Sequence, residues 1–118
     1  MKLVPPSLPA DVMARSFLAR NGELGIHLSD VIAFLDACRK DGIDVLGWEV
    51  WIINYRELGQ FSPGSWTGLI PTPDGSTAVI DGDGDADQVQ QQFLLFQPVI
   101  DVAPVWLPHL RVNITIDA

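Results

Sequence analysis

Cysteine is all but missing from this chain. Cys38 is the only one among 118 residues, so no disulfide can close within it and burial alone has to hold the fold. A reducing, cytoplasmic setting is the expectation that follows. Long apolar runs are missing too. Glu49 and Asn54 break the greasiest stretch, well short of the roughly 18 residues that a membrane span needs, so no membrane contact is expected. Residues 1–9 offer three prolines in place of the apolar core of a signal peptide. Residues 1–8 read as an extended arm.

Basic residues are scarce. Seven Lys and Arg stand against 15 Asp and Glu, a net charge of −8, which excludes the cationic surface that nucleic acid requires. The deficit is also local: Arg56 and Arg111 bracket 54 residues with no lysine or arginine and seven acids. Such a half projects a negative field that attracts a cation or a basic protein. Histidine is limited to His27 and His109, neither in a metal spacing nor in a nucleophile motif. Cys38 has no neighbouring histidine and reads as a buried, inert thiol. No spacing among the 15 acids selects a pair for acid–base chemistry. A non-enzyme without cofactor or bound metal is therefore expected.

What is present suffices for one domain. The length is that of a single unit, and 47% apolar content builds a core. Residues 9–20 read as a helix, with Pro9 in its first turn, Val12, Met13 and Phe17 on one face, and Asn21-Gly22 as the stop. Ser29 is expected to cap a second helix with Asp30 in its first turn. Val31, Phe34, Leu35 and Cys38 share its buried stripe, Arg39 and Lys40 suit its last turn, and Gly42 suits its left-handed C-cap. Residues 43–55 then turn to Val, Ile, Trp and Tyr, an internal strand in which Leu46, Trp48, Val50 and Ile52 alternate with Val45, Glu49, Trp51, Ile53 and Tyr55. Gly47 marks a bulge or a close backbone approach.

Residues 56–66 read as a loop around Ser62-Pro63-Gly64-Ser65, and Pro73-Asp74-Gly75 as the turn of a hairpin between 67–70 and 77–80. Asp85 or Asp87 is expected to cap a helix over 88–97 with Val89, Phe93 and Phe96 inward, although Phe93 to Phe96 also suits a strand. Pro98, Pro104 and Pro108 predict irregular chain beyond it. Residues 111–117 alternate as a strand with Val112, Ile114 and Ile116 inward. The resulting fold class is α+β: two N-terminal helices packed on a mainly antiparallel sheet, in a single domain over 1–118.

Two constellations bear on function. Asp81, Asp83, Asp85 and Asp87 alternate with Gly and Ala, matching positions 1, 3, 5 and 7 of an EF-hand calcium loop. Ala86 replaces its turn glycine, however, and Gln92 replaces its bidentate Glu. A solvated acidic turn is the expectation, with a contact for a basic partner as a further reading. The second constellation is aromatic: Trp48, Trp51, Trp66 and Trp106 belong either to the core or to an interface. Trp48 and Trp51 point to opposite faces of a regular strand, so burying both requires both faces to be covered. Trp48 and Trp66, with Glu49, are the candidate anchors of an acid-rimmed interface. Asn113-Ile114-Thr115 matches a glycosylation acceptor but falls in a strand, so no glycan is expected.

Leu24-Gly25-Ile26 ahead of a helix, followed by Gly42-Ile43-Asp44-Val45-Leu46-Gly47-Trp48-Glu49-Val50-Trp51, resembles a family of bacterial immunity proteins of polymorphic-toxin systems. That family pattern is a helix followed by an Ile-x-Val-Leu-Gly-Gly-Asp-Val-aromatic strand. Here Trp48 stands for the second Gly and Glu49 for the Asp, and the C-terminal half departs from the pattern. The resemblance implies an antitoxin that occludes a cognate toxin, and it carries over no catalytic residue. The candidate partner-binding residues are Trp48, Glu49, Trp66, Asp81, Asp83, Asp85 and Asp87, facing a basic toxin domain. A non-catalytic adaptor subunit and a calcium-dependent binding module are the alternatives.

Overall fold

Hydrophobic periodicity sets the helices, and they form where side chains can leave water together. The computed structural model describes residues 4–18, 22–52, 64–66, 69–71, 77–79, 81–101 and 110–117, giving only the backbone path for 52, 64–66, 69–71, 77–79, 81 and 97–101. In chain order the elements are α1 (Ala10–Arg15), β1 (Phe17–Leu18), β2 (Leu24–Gly25), a 3-10 turn (Leu28–Asp30) and α2 (Val31–Asp41). After them come β3 (Asp44–Ile52), β4 (Gly64–Trp66), β5 (Leu69–Pro71), β6 (Thr77–Val79), β7 (Asp81–Asp83), α3 (Ala86–Asp101) and β8 (Leu110–Asp117). The radius of gyration, 13.8 Å, is that of one compact domain of this length, about 13.5 Å. The class is α+β, as the order of elements predicts. Among the described residues no helix is long and apolar enough to cross a membrane.

β3 is internal, as expected. Along one edge it pairs antiparallel with β8 over its whole length; along the other, β7 takes Gly47–Glu49 and β4 takes Val50–Ile52, both antiparallel. A bridge between Ile26 and Val112 continues the sheet to β2, which pairs with β1. β5 and β6 form the expected hairpin as a separate ladder. Its turn, Pro73-Asp74-Gly75, lies outside the described residues, as do Asn21, 53–63, Pro104, Trp106, Pro108 and His109.

One side of this sheet carries the core. α2 contributes Val31, Phe34, Leu35 and Cys38, the predicted stripe, and α3 contributes Val89, Phe93 and Phe96. They meet Val45, Trp48 and Val50 of β3 and Leu110, Val112 and Ile114 of β8. The helical layer is thus α2 with α3, in place of the two N-terminal helices. α1 has six residues and inserts only Val12. It stops at Ser16, where the backbone turns extended and Oγ donates to the Val12 carbonyl at 2.8 Å. Phe17 is released into β1 instead of continuing the helix to residue 20.

Four further departures have local causes. Residues 4–8 are no extended arm. Leu8 N–H donates to Pro5 O at 3.0 Å, and Ser7 N–H and Oγ both donate to Asp41 at 2.8 Å, while Val4 and Leu8 pack on the core. Ser29 does not cap α2. His27 Nδ1 accepts from the Ser29 N–H at 3.2 Å, starting a 3-10 turn, and Asp30 takes the cap position with its side chain turned to Arg15. Residues 64–66 leave the predicted loop because the upper half of β3 offers an unpaired edge that β4 completes. Finally, α3 runs through Pro98 to Asp101. The proline forfeits one helical hydrogen bond in a helix that Val89, Phe93 and Phe96 have already anchored.

The ends of the two long helices follow sequence rules. Gly42 closes α2 at φ 65°, as its C-cap role requires. Asp85 caps α3 as predicted: its Oδ1 accepts from Gln88 N–H at 3.0 Å and Gln88 Oε1 accepts from Asp85 N–H at 2.9 Å, a reciprocal capping box.

Candidate functional site

The outer face of the sheet is set by a single irregularity in β3. Val45 pairs with Ile116 and Gly47 with Thr115, so Leu46 is one residue too many for β8. The insertion shifts the alternation. Val45 below it and Trp48 and Val50 above it all face the core, and Leu46 is thrown outward, 50% exposed. The expected grouping of Leu46 with Trp48 is therefore wrong, although Gly47 does mark both a bulge and a close approach. A Cβ on Gly47 would stand 2.7 Å from the Gly82 carbonyl oxygen.

Trp48 is buried, where an exposed anchor was expected. It is 4% exposed, packed against Phe93 and Phe96 with ring centroids 6.2 and 5.8 Å away, and its Nε1 donates to Gln92 Oε1 at 2.7 Å. Trp51 lies on the opposite face, as the parity demands, yet it too is only 9% exposed. Among the described residues the cover comes from β1 and β2. Its ring lies over Gly25, where a Cβ would come within 2.9 Å of Cε3, and Phe17 meets it edge-on at 6.4 Å. Its Nε1 donates to Glu49 Oε1 at 2.9 Å. For Trp66 only the backbone, in β4, is described.

Asp83, Asp85 and Asp87 do not converge. Asp81 and Asp83 end β7, with Asp81 opposite Glu49 and Asp83 opposite Gly47. Asp85 caps α3, and Asp87 in the first turn binds Arg39 at 2.8 Å. That Arg39 also holds Asp36 and Gln90, and its pKa is raised, chiefly by Asp87. Gln92, at the position where a calcium loop would place its bidentate acid, accepts from Trp48 and donates to the Asp83 carbonyl at 3.1 Å. Among the described residues no group of three or more His, Cys, Asp or Glu could hold a metal.

The structure brings together a different subset. Leu46, Gly47, Trp48, Glu49, Gly82, Asp83 and Thr115 line a shallow groove of about 320 Å³ on the outer face. Trp48, Glu49 and Asp83 were legible as candidates; Leu46 and Thr115 were not. The sequence signal for Leu46 was Gly47 itself, because a bulge there reverses the facing of everything before it. Neither Glu49 nor Asp83 enters an ion pair among the described residues, whereas Asp11, Asp30, Asp36 and Asp87 all meet an arginine.

The remaining candidates are structural. Cys38 is fully buried, its thiol pushed up to about 11 by burial, with Asp41 adding to the shift. His27 caps a turn. Asn113 is buried and donates to the Leu24 carbonyl at 3.1 Å, so its amide is not open to a glycan in the folded chain. Arg111 is half-buried on the outer face, donates to the Leu110 carbonyl at 2.7 Å, and has its pKa lowered by desolvation. No family model, curated protein or solved structure matches the chain.

Proposed function

We propose that this chain is a non-catalytic binding protein for a basic protein partner, of the immunity-protein kind, which neutralises a cognate toxin by occluding it in the cytoplasm. One observation carries the reading. Glu49 and Asp83 face solvent across a groove with no arginine or lysine paired to them among the described residues, in a chain of net charge −8. An inhibitor of a cationic domain gains association rate from such a field, because steering acts before contact. The resemblance of the α2–β3 segment to bacterial immunity proteins supports the same class. The calcium-module alternative loses ground: Asp85 is committed to a helix cap and Asp87 to Arg39.

The test is co-purification with the product of the adjacent gene, followed by growth rescue in cells that express it. Retention of a basic partner and relief of its toxicity are expected. Neither being seen would leave the adaptor-subunit reading in its place.

A further inference from the structure

We infer that the groove at the β3 bulge is the seat of an arginine side chain presented by a basic protein segment. The inference rests on the basic-partner reading above and specifies which surface receives that partner. The face is concave and uncovered among the described residues, and its two walls differ in chemistry. Leu46 forms an apolar wall, pushed into solvent by the bulge. Glu49 and Asp83 form the acidic wall, and Gly47 between them leaves the floor open.

An arginine fits both walls at once, because its stem packs on apolar surface while its head stays polar. Its planar fork bridges carboxylates in a way that a lysine point charge cannot. Glu49 is already oriented by the Trp51 indole N–H at 2.9 Å, which reduces the cost of ordering it on binding. The ladder adds a reason for a cationic occupant. Asp83 stands diagonal to Glu49 across the ladder, and like charges so close across a sheet are unfavourable until something neutralises them. A second copy of the chain is a poor occupant, since each carries −8. A metal ion is also poorly served, for the described side chains supply only two carboxylates here.

The test titrates the intact protein with a soluble arginine–glycine repeat peptide and with its lysine and citrulline counterparts, following backbone amide shifts at about 0.15 M salt. Shifts should concentrate at Gly47, Gly82 and Thr115, with arginine binding roughly tenfold tighter than lysine and citrulline not binding. The double variant Glu49→Gln/Asp83→Asn, and separately Leu46→Ser, should each weaken the arginine peptide by roughly tenfold. The control Asp11→Asn/Asp36→Asn removes the same charge from α1 and α2, outside the groove lining, and should weaken it far less. A melting curve shows that each variant folds.

Equal loss in groove and control variants, equal binding of lysine and arginine, or shifts centred on the start of α3 would overturn the inference. So would calcium shifting the groove resonances that the peptide leaves unmoved. Failure here is separable from failure of the immunity reading. If the adjacent gene product is captured equally well by the Glu49/Asp83 variant, the groove is wrong and the partner class stands. If the peptide seats in the groove but no toxicity is relieved, the toxin assignment falls and the groove stands.

Discussion

Asp30 gives up nearly all its water, at 5% exposed, and stays charged because Arg15 meets it twice, at 2.8 and 2.7 Å. Those hydrogen bonds hold its carboxyl below the usual value of 3.8. A depressed carboxylate stabilises the fold above its unfolded pKa, and that stability drains away as pH falls through the folded value. Asp30→Asn should therefore cost about 2 kcal/mol near neutrality, and the gap to the parent should close on acidification below about pH 4. Thermal melts across that range check it; a gap independent of pH would mean that packing, and not the ion pair, is at stake. Cys38 gives a second prediction. Buried and raised to about 11, it should resist alkylation at pH 8 and react fully once the chain is unfolded in denaturant, which mass spectrometry reads directly. The Cys38 environment was legible from its place on the α2 stripe. Nothing in the sequence linked Arg15 to Asp30, because Asp30 reads alone as a first-turn acid, Arg15 falls inside the expected 9–20 helix, and their meeting depends on how α1 crosses the start of α2.

At the scale of elements, the legible parts were those whose signal is local. The α2 stripe, the Gly42 and Asp85 caps and the alternation of β8 all follow from residues within one or two turns of each other. The partners of β3 do not, since strand pairing is fixed by register between distant segments. The same limit hid β4, and it let the bulge escape an alternation count that assumed one phase. Glycine chemistry tests the pairing. Gly47→Ala would press a methyl on the Gly82 carbonyl and should cost about 1–3 kcal/mol by separating β7 from β3. Gly42→Ala meets no atom within 4 Å but must hold φ 65°, and should cost about 1 kcal/mol through backbone strain alone. Denaturant titration of both variants distinguishes the two causes. Only the first should also loosen amide protection in Asp81–Asp83.

For the molecule as a whole, composition announced the charge but not its division of labour. Arg39 neutralises part of the start of α3, whereas the outer face of the sheet keeps its acids. In association with a basic partner, Asp85→Asn and Asp87→Asn each remove one charge from the far field, and should slow encounter alike while leaving dissociation unchanged. Glu49→Gln and Asp83→Asn should instead speed dissociation. Stopped-flow mixing at varied salt separates the two, and equal effects on dissociation from both pairs would mean that no part of the acidic surface is privileged. Leu46 leads further. As the supernumerary residue of β3, it sits where a single deletion would restore one alternation from Val45 to Trp51. A shortened chain lacking Leu46 should then keep its core and its melting temperature within a few degrees, yet lose the apolar wall of the groove. Insertions and deletions in a buried strand normally scramble which side chains face inward. Here the spare residue uncouples the two faces, so a lineage could gain or lose the groove in one step without renegotiating the interior beneath it.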